Sequence, residues 1–151
     1  MLTWLTELLQ NRTLICSVCA WFSAQAIKYL VTGLRTKKWS LRPFFAAGGM
    51  PSSHTSAVSA LACMVGLSEG FSSPLFAGCV VFASIVMYDA TGVRRETGKQ
   101  GSAINRLLQV TPEIGPDMDE TRLKERMGHN PLEVIGGCLL GILFAALFTV
   151  L

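Results

Sequence analysis

PLEVIGGCLLGILFAALFTVL, residues 131–151, decides the fold, because after Glu133 it carries no charged side chain. Crossing ~30 Å of hydrocarbon takes about 20 helical residues at ~1.5 Å each, and this stretch meets that requirement without interruption. The whole chain agrees with it. Of 151 residues, 50% are hydrophobic and 15% charged, and mean hydropathy is +0.44, too apolar for an ordinary soluble domain. Working outward, three more apolar stretches precede it. Residues 74–90 end in Tyr88-Asp89, and residues 13–34 are interrupted by Gln25 and Lys28. Residues 53–67 are shorter, rich in Ala, Ser and Gly, and suit a helix that begins below the membrane surface. The expectation is one all-α membrane domain over 1–151: a helical bundle with about four transmembrane helices and a polar insertion at 96–128. That insertion is expected to hold a short amphipathic helix around Ala103 to Val110. Met1 to Gln10, with Trp4 and several Leu, is amphipathic and suits the interface; without a basic n-region it does not read as a signal peptide.

Lys and Arg concentrate in cytoplasmic connections close to membrane spans. Arg35, Lys37, Lys38 and Arg42 lie between the first and second stretches. Arg94, Arg95, Lys99, Arg106, Arg122, Lys124 and Arg126 lie between the third and fourth. The connection between the second and third carries only Glu69. Four spans put both basic connections on one side, predicted to be cytoplasmic, with both termini opposite. The formal charge of +3 understates this one-sidedness. Such a surface suits anionic lipid headgroups, and nothing in the pattern implies a nucleic-acid partner. All five cysteines, Cys16, Cys19, Cys63, Cys79 and Cys138, fall inside apolar stretches and read as small buried hydrophobes. Cys16 and Cys19 have C-x-x-C spacing but no second pair, so neither zinc nor a disulfide framework is expected.

Gly48-Gly49-Met50-Pro51-Ser52-Ser53-His54 stands where the second apolar stretch begins. A helix start leaves backbone N–H groups unpaired and carries partial positive charge, so it attracts anions, and a histidine beside it adds a proton donor. Read more plainly, Ser before an apolar run is an N-cap. Topology brings other groups to the same face. The second and fourth stretches begin there with Ser52-Ser53-His54 and His129-Asn130-Pro131, while the first and third end there, delivering Arg35 and Arg94-Arg95. Lys28, two turns inside a span, needs a partner, the interface or a polar cavity, and its seven-residue spacing puts it on nearly the same helix face as Arg35. Gln25 extends that polar face. In His129-Asn130-Pro131-Leu132-Glu133, Asn suits the N-cap, Pro the first helical position and Glu the third, where it can close a capping box. The same Glu133 can approach His129, fix its tautomer and raise its basicity.

Together these residues resemble the type 2 phosphatidic acid phosphatase superfamily, which includes bacterial acid phosphatases and vanadium haloperoxidases, and in particular its small divergent membrane branch. The superfamily pattern is K-x6-R-P, then P-S-G-H, then S-R-x5-H-x3-D. Lys28 and Arg35 match the first, with Thr36 for proline; Pro51, Ser52 and His54 match the second, with Ser53 for glycine; His129 and Glu133 match the third, with glutamate for aspartate. The run Tyr88 to Arg95, the Gly48-Gly49-Met50 prefix and Gly128-His129-Asn130-Pro131 look like the divergent branch. Leu123 stands where the third motif has arginine, so Arg94 or Arg95 supplies the missing cation across an insertion, or Arg122, Lys124 or Arg126 does. Arg35-x6-Arg42-Pro43 offers a competing frame for the first motif, with a very short link to Pro51.

The resemblance implies a metal-independent membrane phosphatase without cofactors, acting on an anionic lipid phosphate, either a phosphomonoester or a pyrophosphate. His129 would attack phosphorus, Glu133 would orient it, and His54 would protonate the leaving oxygen. Lys28, Arg35, Ser52, Ser53, Arg94 and Arg95 would hold the phosphoryl oxygens. Four spans make a thin bundle and leave room for a homodimer to complete the site. Broken helices and intramembrane Lys28 can also mark the anion path of a transporter, a reading opposed by only four spans and no internal repeat; two further rivals stand beside the phosphatase. One is a non-catalytic lipid-phosphate-binding or membrane assembly protein that keeps the anion pocket. The other is a metal-dependent enzyme using Asp89 or Asp117, Asp119 and Glu120, although that acidic loop lacks ligand spacing.

Overall fold

Polar caps set the helix starts. Asn11 Oδ1 accepts from Leu14 N at 3.0 Å, Ser73 Oγ from Phe76 N at 3.1 Å with Pro74 following it, and Ser52 Oγ from Thr55 N at 3.4 Å. Each satisfies one of the amides that a helix start leaves unpaired. The computed structural model describes residues 3–37, 39, 48–110, 123 and 128–150. These residues form α1 (Thr3–Gln10), α2 (Arg12–Thr36), α3 (Ser53–Glu69), α4 (Pro74–Thr91), α5 (Val93–Val110) and α6 (Pro131–Val150). Lys37, in the left-handed region at φ 54°, ends α2. No strand occurs among the described residues, and the chain is an integral membrane helical bundle.

Long-range hydrogen bonds give the helix directions. Arg12 at the start of α2 donates to the carbonyl of Phe148 near the end of α6, and Ser56 Oγ of α3 donates to Ala20 O in α2 at 3.1 Å. Ser52 N donates to Glu133 O at 2.9 Å, joining the starts of α3 and α6. Thus α3 and α6 begin at the face where α2 and α4 end, as the basic connections imply. Of the four expected spans, α2, the segment containing α4, and α6 are long and apolar enough to cross a membrane. The remaining helix, α3, has 17 residues, about 25 Å at ~1.5 Å each, and is the hub against which α2, α4 and α6 pack.

The packing is inverted relative to a soluble protein. Inside lie Cys16, Ala20, Ala24, Ser53, Thr55, Ser56, Ala60 and Ala145; outside lie Phe22, Leu30, Phe82, Ile85, Leu139 and Leu147. Lipid tails solvate large apolar side chains as well as a core does, so small residues that let backbones approach take the interior. The α3–α6 contact is the extreme case. A Cβ added to Gly137 would collide with the Ser52 carbonyl oxygen and lie 3.1 Å from Thr55 Cβ. One turn on, a Cβ at Gly141 would collide with the Ser56 carbonyl oxygen and lie 2.8 Å from both Ala60 N and Ser59 Cβ.

The polar insertion differs from its expected form, since α5 begins at Val93, ten residues before Ala103. Gly98 and Gly101 look like breakers in sequence, but both are buried on the protein side, with Leu123 Cβ 3.9 Å from where a Gly101 Cβ would stand. Local bonds reinforce the early turns: Thr97 Oγ1 donates to Val93 O at 2.9 Å, and Lys99 pairs with Glu96 at 2.6 Å. At the other end, α1 buries no residue and exposes Trp4, in keeping with an interfacial segment. All five cysteines are free, with Cys16 in the central cluster beside Ala20, Ala60, Met64 and Ala145.

Gly141→Leu is expected to destabilise the fold by about 1–3 kcal/mol through overpacking, read as a fall in melting temperature in detergent. Gly78→Leu is the control, because nothing lies within 4 Å of a Cβ there. Equal melting of the two variants would disprove the close-approach account.

Candidate functional site

The site begins with the turn before α3. Gly48 (φ 93°) and Gly49 (φ 86°) occupy a region that side chains rarely adopt, and a cis Met50–Pro51 bond follows. Pro51, Ser52 and Ser53 are buried. The plain capping role of Ser52 is confirmed: its hydroxyl accepts from Thr55 N and from Thr55 Oγ1 at 3.0 Å. Its amide is also engaged, donating to Glu133 O. The donors left at this helix start are therefore the backbone N–H groups of Ser53 and His54. The His54 side chain is exposed at the mouth of the same turn.

The second histidine is held from two directions. His129 N donates to Ala90 O at 2.9 Å, tying it to the end of α4, and its side chain is only 8% exposed. Nδ1 lies 2.7 Å from Glu133 Oε2, while Asn130 N donates to the same oxygen at 3.3 Å. Glu133 thus closes the capping box and orients the imidazole at once. An ionised carboxylate can only accept, so opposite ionised Glu133 the Nδ1 position carries a proton, and in the neutral imidazole the lone pair then lies on Nε2.

Lys28 completes the junction. It is 3% exposed, and its Cγ and Cδ would each lie 3.3 Å from a Gly49 Cβ, so the stem packs on the glycine turn. The Glu133 carboxylate lies within electrostatic range of its ammonium, and Arg94, His129 and Lys28 lie within electrostatic range of His54. Four elements therefore converge: the end of α2, the start of α3, the α4–α5 junction and the start of α6. Gly92 separates α4 from α5, and Arg94 follows in the first turn of α5. Arg94 Nε binds Asp89 Oδ2 at 2.5 Å, so the carboxylate considered above as a metal ligand is occupied by an arginine.

Two other expected site residues are exposed. Arg35 shares the Lys28 face, but seven residues put it about 10 Å farther along α2, where it is exposed. Arg95 is exposed on α5. Neither forms an ion pair among the described residues. Arg42, Asp117, Asp119, Glu120, Arg122, Lys124 and Arg126 lie outside the described residues.

Two residues have supporting roles: Gly128, read in the sequence only as part of a family motif, and Asn105, which the sequence reading did not single out. A Cβ on Gly128 would collide with Arg95 N and approach Ala90 O and Arg94 C at 2.8 Å, so only glycine lets the chain before His129 nest in the α4–α5 junction. Asn105 clasps Leu123 by both backbone groups: Nδ2 donates to Leu123 O at 2.9 Å, and Leu123 N donates to Oδ1 at 3.0 Å. Gly beside His was a usable signal for the first. An asparagine inside an amphipathic helix was a weak one for the second.

The chain has a relative among known proteins. An uncharacterized membrane protein of Bacillus subtilis (strain 168), YuiD, is 42% identical over 149 residues, covering 91% of this chain and 93% of its own length. No solved structure matches the chain. The description Divergent PAP2 family matches residues 9–144, from the end of α1 into α6 and across every element that builds the junction, and the chain belongs to that family.

Proposed function

We propose that the protein is a membrane lipid-phosphate phosphatase that works through a phosphohistidine. The observation that carries this reading is the buried His129, held at Nδ1 by Glu133 within electrostatic reach of His54. A phosphoryl group seated at the start of α3 meets the Ser53 and His54 amides, Lys28 and Arg94. Fixed donors of this kind stabilise the charge on transferring phosphoryl oxygens. The Asp89–Arg94 pair is partly exposed and worth about 0–1 kcal/mol, so a phosphate dianion can take its place.

In the first step Nε2 of His129 attacks phosphorus; the P–N bond forms as the bond to the alkoxide oxygen breaks, and His54 gives that oxygen its proton. In the second step neutral His54 takes a proton from water. The resulting hydroxide attacks phosphorus, the P–N bond breaks, and inorganic phosphate leaves. Glu133 keeps the Nδ1 proton in place and balances the charge that His129 acquires in the intermediate. The junction lies at the ends of membrane helices, which favours substrates whose phosphate is carried on a lipid. The basic connections favour the cytoplasmic side for this face. Arg35 and Arg95 would enter only as outlying cations.

Phosphate release from a panel of lipid phosphomonoesters and pyrophosphates by the purified protein is the test. His129→Ala is expected to abolish release and the base-stable, acid-labile phosphoenzyme. His54→Ala should slow release by about 10²–10⁴-fold, with less loss on substrates whose leaving group needs no proton. Retained turnover in His129→Ala would refute the nucleophile. Complete loss in EDTA, restored by a divalent cation, would move the reading to a metal enzyme. Binding without release from any substrate would favour the non-catalytic lipid-phosphate-binding role.

A second expectation concerns Glu133. Glu133→Gln keeps the capping acceptor but loses the negative charge, so it should preserve melting temperature while reducing the rate of phosphoenzyme formation. Equal rates in Glu133→Gln and the natural protein would remove Glu133 from the mechanism.

A further inference from the structure

Helix α5 has two sides with different chemistry. Gly98, Gly101 and Asn105 form the buried side, fastened to Leu123 by the asparagine. Away from it, Arg95, Lys99, Ser102 and Arg106 recur at intervals of four, three and four residues, which aligns them in one stripe. Beside that stripe lie Ala103, Leu107 and Val110; Leu107 is 63% and Val110 75% exposed. Lys99, Ser102, Arg106 and these three apolar residues line a groove of about 540 Å³. Glu96 offsets the charge of Lys99, whereas Arg95 and Arg106 form no ion pair among the described residues. None of the groove residues belongs to the His129 junction.

The position of the helix supplies a second argument. Separated from α4 only by Gly92, α5 is the polar continuation of the segment Pro74–Val110, whose apolar part is long enough to cross a membrane, so its cations follow directly on that apolar part. A cationic stripe bordered by exposed Leu and Val is the pattern of a helix lying in the bilayer interface, with apolar side chains directed toward the acyl boundary and charges toward phosphates. We propose that the Lys99–Arg106 groove of α5 binds the anionic phosphate headgroup of a bilayer lipid, at a site separate from the His129 junction. The headgroup phosphate would lie against Arg106 and Lys99, and the upper acyl chain against Leu107 and Val110. This site does not depend on turnover at His129.

The test uses the full chain in phosphatidylcholine vesicles carrying a trace of spin-labelled phosphatidylglycerol or spin-labelled phosphatidylcholine. The motionally restricted fraction is expected to favour the anionic lipid by about fivefold, the weight of roughly one unpaired surface cation. Lys99→Gln with Arg106→Gln should bring that preference close to one, while Lys99→Arg with Arg106→Lys should retain it. The preference should also persist in His129→Ala and in millimolar inorganic phosphate. No preference in the natural protein, or an undiminished one in the glutamine pair, would overturn the proposal. So would its loss in the charge-conserving pair, its loss in His129→Ala, or displacement by free phosphate.

Discussion

The backbone contact of α3 with α6 at Gly137 and Gly141 governs the geometry of everything above it. Two helices can approach so closely only where a side chain is missing, and dispersion forces between them are strongest there. With α6 drawn against α3, Glu133 O reaches Ser52 N and the two helix starts are locked side by side. The separation of the two histidines is therefore set by backbone contacts rather than by flexible side chains. A one-turn slip of α6 along α3 would move His129 by about 5.4 Å and dissolve the junction.

Much of this was legible in the residues because its signals are local. The four apolar stretches come within two residues of α2, α3, α4 and α6 at every boundary, since hydropathy and caps such as Ser52 and Ser73 act over a few positions. The His129–Glu133 contact follows from an i, i+4 spacing, and the placing of the starts of α3 and α6 at one face from alternating helix direction. Arg35 illustrates where periodicity stops. Spacing of seven places two residues on one face about 10 Å apart but says nothing of burial, and the lysine is enclosed while the arginine is exposed.

What could not be read depended on neighbours. Gly98 and Gly101 lower helix propensity by about 1 kcal/mol each, and only the protein surface beside them makes their lack of side chains useful. Gly128 likewise has no meaning without the α4–α5 junction it fits. Ser52 was legible as a cap, but its amide's donation to Glu133 O required knowing that α6 lay alongside.

The single oxygen Oε2 of Glu133 has a wider meaning. It receives the Asn130 amide that closes the first turn of α6 and the Nδ1 proton that defines the His129 tautomer. Winding of that turn and arming of the imidazole are thus one event. When the turn frays, the histidine loses its orientation together with its counter-charge, so thermal opening of four residues at the membrane surface is also an off state of the imidazole. The orientation of the imidazole is thereby tied to complete formation of the first turn of α6.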